Sequence, residues 1–171
     1  MIVFLIEKEK KMADKNQAIM HAREPIHGAE GAAYVTIEGS RYLLFQLKDF
    51  EGSWEKDKSK IPRLGTRVKG NRSNTVSGVW SATCYYNTDI FRKLMMIYVK
   101  DHKDIYFDVQ ITNDDSNSNA GRHTVIFRDC NIDGSIMAKL DITSDTLEEK
   151  LAGTFEDCDM PEEFNILEGM I

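Results

Sequence analysis

The sequence predicts a mainly β protein: an antiparallel β-barrel or sandwich with one flanking α-helix and a long extended hairpin loop. Most of its apolar runs are short, alternate with polar residues and end at Gly, Asn, Asp or Ser, as half-buried strands do. Only one stretch, at about residues 88–103, places apolar side chains at helical spacing. With a single helix there is little room for βαβ crossovers, so antiparallel pairing is expected.

The first four strands are predicted to form two hairpins. Residues 33–37 and 42–47 are rich in aromatic and aliphatic side chains and flank a turn at Glu38-Gly39-Ser40. Beyond them, and again over residues 76–86, apolar and polar side chains alternate with a period of two. The alternation places Phe50, Trp54, Trp80 and Tyr86 on one face, and on the other face Asp49, Glu51, Ser53, Glu55, Ser77, Ser81 and Thr83.

The connection between the strands of the second hairpin, residues 56–75, is predicted to be an exposed basic loop, because it is too polar for a core and long for an ordinary turn. From Glu51 to Thr75 there are seven basic and three acidic residues, a net charge of +4. From Asp141 to the end there are ten acidic residues and one lysine, a net charge of −9. This complementarity would allow one segment to dock on the other, and two separately solvated surfaces are an equal alternative.

The helix has Thr88-Asp89 as its predicted N-cap, and its paired methionines are expected to pack against the sheet. Four further strands are predicted, at residues 105–112, 123–131, 135–142 and 151–158. The polar loop at residues 113–119 alternates carboxylate and amide oxygens. It lacks the glycine and the distal glutamate of an EF-hand loop, so calcium is not predicted there.

A length of 171 residues is typical of one domain, which we place at residues 31–171 after an N-terminal arm over residues 1–30. The arm has no sustained periodicity. The codons of Glu7-Lys8-Glu9 can contain a purine-rich ribosome-binding sequence, so a natural start at Met12 is a hypothesis. The apolar opening of six residues is too short for a signal peptide.

The sequence carries no catalytic signature. Its four histidines are far apart, and it has no nucleophile elbow, phosphate-binding loop, dinucleotide fingerprint or CxxC pair. We predict no catalytic residue, metal ligand or cofactor. A net charge of −6 disfavours a protein that grips nucleic-acid phosphates, and the three separated cysteines favour a reducing compartment. A monomeric β-barrel that binds a small ligand is the alternative function, since opposed strand faces can enclose one.

Seven segments in order along the chain carry a resemblance to a known family: MADKNQ (12–17), GAEGAAYVTIEG (28–39), IPRLGTRVKG (61–70), YYNTDIFRKLM (85–95), DIYFDVQITNDD (104–115), GRHTVI (121–126) and TFED (154–157). Together they resemble the XkdM-like tail tube proteins of PBSX-like prophages and contractile phages. Each segment alone is a weak signal. Their common order over most of the chain makes the resemblance specific.

The resemblance implies a structural protein that forms hexameric rings, which stack into an inner tail tube for DNA ejection or for puncture by a bacteriocin. The implied partners are further copies of this chain, the tail sheath protein, baseplate or initiator proteins and the tape-measure protein. DNA would pass transiently and without specific binding, and no membrane is involved. The implied location is the virion tail, after assembly in the cytoplasm of the bacterial host.

Within such an assembly, the charge and alternation of the sequence predict specific contacts. Contacts between rings or subunits are expected at Lys58, Lys60, Ile61, Arg63, Leu64, Arg67 and Lys69, and arm contacts at Asn16, Gln17, Ala18 and Ile19. The lumen is expected to be lined by Asp49, Glu51, Ser53, Glu55, Ser77, Ser81 and Thr83, opposite the apolar face that needs the core. An outer solvated face is the alternative for this last set, because alternation alone does not say which side lies inside a ring.

Overall fold

Eight β-strands and one α-helix make up the regular structure of residues 19–44 and 46–170, the part of the chain that this computed structural model describes. In chain order the elements are β1 (Gly31–Ile37), β2 (Ser40–Leu43), β3 (Leu47–Ile61), β4 (Gly70–Tyr85), α1 (Ile90–Asp101), β5 (Phe107–Asn113), β6 (His123–Ile132), β7 (Glu148–Phe155) and β8 (Asp157–Glu162). Over these described residues, the prediction of a mainly β fold with one helix is confirmed.

All strand pairs are antiparallel, in the order β2-β1-β5-β6-β7-β4-β3, and β8 pairs with β6 outside this path. β6 divides one edge between two neighbours: its residues 124–128 pair with β8, and Asn131 and Ile132 pair with β7. This division separates the strands into two layers, β2-β1-β5-β6-β8 and β3-β4-β7, which meet at the end of β6. The sheet is open at β2 and β3, so the sandwich form of the predicted fold is the one observed.

Aromatic side chains fill the space between the layers. The Phe50 ring stacks on Trp80 with centroids 5.9 Å apart, and Phe127 contacts Phe50 at 5.3 Å and Phe155 at 5.0 Å. A cavity of about 10 Å³ lies among the core side chains, which is at most the space of one water molecule. This cavity among the described core residues is too small for the ligand of the binding barrel considered above.

The corner where β4, β7 and β6 meet depends on close backbone approach. Trp80 donates its indole N–H to the carbonyl oxygens of Asn131 and Thr154, at 3.2 and 3.1 Å. Gly153 pairs with Trp80, and a Cβ atom at this position would lie 1.9 Å from the Asn131 carbonyl oxygen. Only glycine fits there, because any larger residue would push the two layers apart.

The predicted hairpin loop over residues 56–75 is wrong in its extent. β3 and β4 remain paired as far as Ile61 and Gly70, so the loop is limited to residues 62–69. This part of the hairpin has no sheet layer to cover and therefore needs no apolar face. Its side chains lack the period-two signal that identifies a half-buried strand.

The strand predicted at residues 135–142 is also wrong, since this segment is irregular in the structure. Its alternating Ile136, Leu140 and Ile142 resemble a strand, but these side chains are exposed rather than packed on the core. The strand predicted at residues 151–158 is divided between β7 and β8. The chain turns at Glu156, whose N–H donates to the Arg128 carbonyl oxygen of β6.

The helix α1 confirms the predicted element and lies within its expected bounds. Thr88 provides a hydroxyl oxygen 3.5 Å from the Ile90 N–H, and His102 ends the helix in the left-handed conformation. The buried face of α1 contains Phe91, Arg92 and Leu94. No helix in the described part of the chain is long and apolar enough to cross a membrane.

Candidate assembly surfaces

The β3–β4 hairpin extends beyond the rest of its layer. β7 pairs with β4 only as far as Gly78, opposite Phe155, so the hairpin continues without a third strand. We call residues 56–76 the ribbon. Its strands run on for roughly 20 Å at the usual rise of about 3.3 Å per residue. Apart from Gly70, every residue of the ribbon is exposed, and both of its faces are therefore open to solvent.

The ribbon combines uncovered apolar side chains with positive charge. Leu64 at its tip is fully exposed, and Val68 is 66% exposed. Seven basic side chains and one acidic one give the ribbon a net charge of +6. Within the described residues none of these cations forms an ion pair. The structure thus brings together, on one projection, all the residues predicted for contacts between rings: Lys58, Lys60, Ile61, Arg63, Leu64, Arg67 and Lys69.

The solvent face of β3-β4-β7 carries the polar residues that were predicted to line a lumen. The register places Asp49 opposite Thr83, Glu51 opposite Ser81, and Glu55 opposite Ser77. These side chains therefore form one surface, and their strand neighbours Phe50 and Trp80 point into the core. The predicted division of the two faces is confirmed, and the assignment of the polar face to a lumen stays a prediction.

Sequence reasoning predicted a strand in this part of the chain but did not assign its polar side chains to this surface. β7 contributes Lys150 beside Thr83, Ala152 beside Ser81, and Thr154 beside Val79. The signal was available, because Leu151, Gly153 and Phe155 alternate with these exposed positions and face the core. We call the solvent side of the three strands the acidic face. Its β3 carboxylates, Asp49, Glu51 and Glu55, form no ion pair within the described part of the chain.

Residues 24–30, assigned to the N-terminal arm above, are held by the polar loop that precedes β6. The Ser118 hydroxyl donates to the Glu24 carbonyl oxygen at 2.6 Å, and the Asn119 amide donates to the Glu24 carboxylate at 3.0 Å. The backbone N–H groups of His27 and Asn117 both donate to the Asp115 carboxylate at 2.9 Å. These two bonds, that from His27 being the stronger influence, lower the pKa of Asp115 from its usual 3.8.

Residues 24–30 of the predicted arm are therefore attached to the folded body in a single subunit. Polar side chains of the loop satisfy the backbone of this segment, which sequence periodicity does not reveal. Ile19 is 86% exposed, and the other predicted arm contacts, Asn16, Gln17 and Ala18, lie outside the described residues, as does the hypothetical start at Met12.

A buried ion pair fixes the end of the layer opposite the ribbon. Arg92 of α1 donates from Nη2 to Glu149 Oε2 at 3.0 Å and from Nε to the Ile136 carbonyl oxygen at 2.9 Å. Its guanidinium carbon lies 3.9 Å from the centre of the Tyr86 ring. Burial raises the pKa of Glu149, and the positive charge of Arg92 opposes this effect. The pair joins the helix, β7 and the loop after β6.

The C-terminal carboxylates do not dock on the ribbon of the same chain. Their ion pairs are made with Lys48, Arg92, Arg122 and Arg128, all outside the ribbon. Within the described residues, no three His, Cys, Asp or Glu side chains are grouped as metal ligands. The features that stand out are surfaces: a cationic ribbon, an acidic face and open strand edges.

Comparison with solved structures shows which proteins share this fold. The protein aligns over 89% of its length with one chain in the cryo-EM structure of the anti-feeding prophage baseplate. The alignment covers 100% of that chain, with a TM-score of 0.60 and 11% identity. It aligns over 83% of its length with the SPP1 tail tube, 81% of which is covered, with a TM-score of 0.57 and 13% identity. These likenesses show a shared fold, that of the tail tube proteins.

Sequence comparison shows the family directly. Residues 18–162 match the family described as "Phage tail tube protein". The chain is 37% identical over 146 residues to phage-like element PBSX protein XkdM of Bacillus subtilis strain 168, which covers 85% of this chain and 97% of XkdM. The chain belongs to the phage tail tube family, and it is a structural tail protein.

Proposed function

We propose that this chain polymerises into hexameric rings that stack to form the inner tube of a phage or prophage tail, and that DNA is ejected through the lumen. The ribbon is the observation that carries the proposal. A two-stranded projection with both faces in water is marginal by itself, and no other part of the described chain covers Leu64 and Val68. Contacts with other copies would supply the missing packing.

The open edge of the sheet supports lateral assembly. β3 is 15 residues long and stands at the end of the strand order. Among the residues that the structure describes, one row of its backbone N–H and C=O groups therefore has no partner strand. Long open edges promote association with other strands. In a ring, pairing of this edge with the adjacent copy would continue β3-β4-β7 into a closed inner wall.

The acidic face is assigned to the lumen in this proposal. Apart from Lys150 of β7, the side chains named on this face are short or acidic, and β3 alone contributes three carboxylates per subunit. DNA carries one negative charge per roughly 1.7 Å of duplex axis, so a basic lining would retain it. An acidic wall repels the phosphates and leaves a hydrated gap for the DNA.

The remaining parts of the proposal concern partners and location. The role is mechanical and not enzymatic, with the tail sheath, baseplate or initiator and tape-measure proteins as partners. Assembly would take place in the cytoplasm of the bacterial host. The same tube would serve puncture instead of DNA delivery if the particle is a bacteriocin.

Negative-stain electron microscopy of the concentrated, purified chain tests the proposal. We expect rings with sixfold averages and tubes built from them. A preparation that stays monomeric over a range of concentration and salt would contradict the proposal.

A further inference from the structure

We infer that the loop between β6 and β7 is the receptor for the ribbon tip of a second copy in the next ring. We call residues 133–147 the base loop and residues 61–69 the ribbon tip. The inference rests on the proposed tube function and identifies the surface on which one ring receives the next.

The base loop lies at the end of the subunit opposite the ribbon tip. Its Leu147 carbonyl oxygen accepts from the Tyr86 N–H, and its Lys139 N–H donates to the Tyr86 hydroxyl. Tyr86 directly follows the end of β4, whereas the ribbon tip precedes its beginning. The 16 residues of β4 separate these two ends by roughly 50 Å at the rise of an antiparallel strand. One subunit therefore cannot place its own tip on its own base loop.

The two ends share an unusual exposure of apolar side chains. In the base loop Leu140 is 90% exposed and Ile142 is 94% exposed. At the ribbon tip Leu64 is fully exposed and Val68 is 66% exposed. Leaving four large aliphatic side chains in water is unfavourable. The same contact between copies would bury both groups.

The charges of the two ends are opposite. The ribbon tip carries Arg63, Arg67 and Lys69 and no acidic residue, a net charge of +3. The base loop carries Asp133, Asp141, Asp145 and Lys139, a net charge of −2. Asp141 accepts hydrogen bonds from the backbone and hydroxyl of Thr143, which hold its charged form and lower its pKa. Complementary charge at opposite ends selects head-to-tail contact and disfavours contact between like ends.

The base loop is held in a defined place although it has no regular structure. Arg92 donates to the Ile136 carbonyl oxygen, and the Lys139 ammonium donates to the Glu148 carbonyl oxygen at 2.7 Å. Its exposed residues are thus presented on fixed backbone at one end of the subunit. A surface that differs from the surface it binds produces an open, repeating contact along an axis, which is the symmetry of a stack.

Cysteine cross-linking in assembled protein tests this contact. In a Cys158→Ser background, which leaves two buried cysteines, the chain would carry both Leu64→Cys and Ile142→Cys and would be treated with a short bismaleimide. Linkage between successive rings would produce a ladder of covalent multimers that continues past the hexamer on denaturing gels. Leu64→Cys with Val99→Cys, an exposed position of α1, is the matched control and should give no ladder.

A second pair keeps the test valid if loss of the aliphatic side chains prevents assembly. Thr66→Cys with Ser144→Cys alters polar residues of the same two loops and leaves the four aliphatic side chains in place. Tubes that form with either pair but give no ladder above the control would overturn the base loop as receptor and leave the tube function standing. If the unmodified chain forms no rings or tubes at all, both the inference and the proposed function fail.

Discussion

The Arg92 guanidinium and the Glu149 carboxylate are joined by a hydrogen bond of 3.0 Å between α1 and β7, and both side chains are buried. Arg92 also reaches Asp89 and the backbone of Thr88 and Ile136. A single charged side chain therefore connects the start of the helix to the base loop. Because the charged Glu149 carboxylate is buried away from water, the stability of the fold depends on the counter-charge of Arg92.

We expect Arg92→Leu to destabilise the isolated subunit by about 3–5 kcal/mol, since it leaves a buried carboxylate without its counter-charge. Urea unfolding at pH 7 measures the loss. The double variant Arg92→Leu/Glu149→Leu should regain most of it, because no charge remains buried. Equal stability of the single and double variants would contradict this account of the pair.

The pH dependence of Arg92→Leu provides a further check. Burial raises the pKa of Glu149 above its usual 4.5, and removal of Arg92 should raise it further. When the pKa of a carboxyl group is higher in the folded state, the folded protein becomes more stable as the pH falls towards the pKa of the unfolded state. The variant should therefore become more stable, relative to wild type, as pH is lowered from 7 towards 4.5.

Neutralising the ribbon should block stacking and leave the fold intact. The substitutions are Lys58, Lys60, Arg63, Arg67 and Lys69, all to Ser. These side chains are exposed and form no ion pair in the described subunit, so thermal unfolding of the monomer should change little. Exposed ion pairs contribute only about 0–1 kcal/mol each, so the loss of stacking should come from many repeated contacts around each ring. Sedimentation measures this loss as a higher critical concentration for tube assembly.

Two double variants distinguish the effect of where a charge lies from the effect of the total charge. Arg63→Ser/Arg67→Ser and Lys93→Ser/Lys100→Ser change the net charge equally, but the second pair lies on α1. Only the first should raise the critical concentration. Unchanged tube assembly by the fivefold variant would remove the ribbon charges from the mechanism.

Reversing charge on the acidic face should slow DNA passage. In particles built from Glu51→Lys/Glu55→Lys, tubes should still form, because these residues point away from the core. The added lysines would attract phosphates, and the delay should shrink with salt, since screening acts over about 8 Å at physiological ionic strength. The rate of DNA release from triggered particles is the measurement.

Glu163→Lys/Glu168→Lys is the control for this experiment, because it makes the same change of net charge at exposed positions outside the acidic face. It should release DNA at the wild-type rate. Normal release at low salt from particles of the Glu51/Glu55 variant would show that the acidic face does not line the channel.

Acid should release residues 24–30 from the loop that holds them. The pKa of Asp115 is lowered, so its contribution to stability is present above 3.8 and is lost as pH falls through its lower folded value. The protection of the His27 amide against hydrogen exchange should fall over that range. Asp115→Ala should remove it at neutral pH, whereas Asp114→Ala, at an exposed neighbour, should not. Equal protection in the two variants would contradict the role of Asp115.

Much of the fold was predictable because it follows from the local spacing of apolar and polar residues. The side chains of Phe50 and Glu51 must point to opposite sides of a strand whatever it pairs with, so the core face and the acidic face could be assigned from residue order alone. The helix after Thr88 was predictable for the same reason. The segregation of positive charge into the hairpin and negative charge into the C-terminal part also belongs to the sequence itself.

Tertiary structure decided the features that depend on a distant partner. Residues 56–61 are a strand because they pair with residues 70–76, although neither segment has an apolar face. Residues 135–142 have a strand's alternation but no pairing edge, so they form a loop with exposed aliphatic side chains. Asp115 holds His27 across 88 positions, and Arg92 meets Glu149 across 57. Local pattern determines which way a side chain points, whereas the fold determines what it meets.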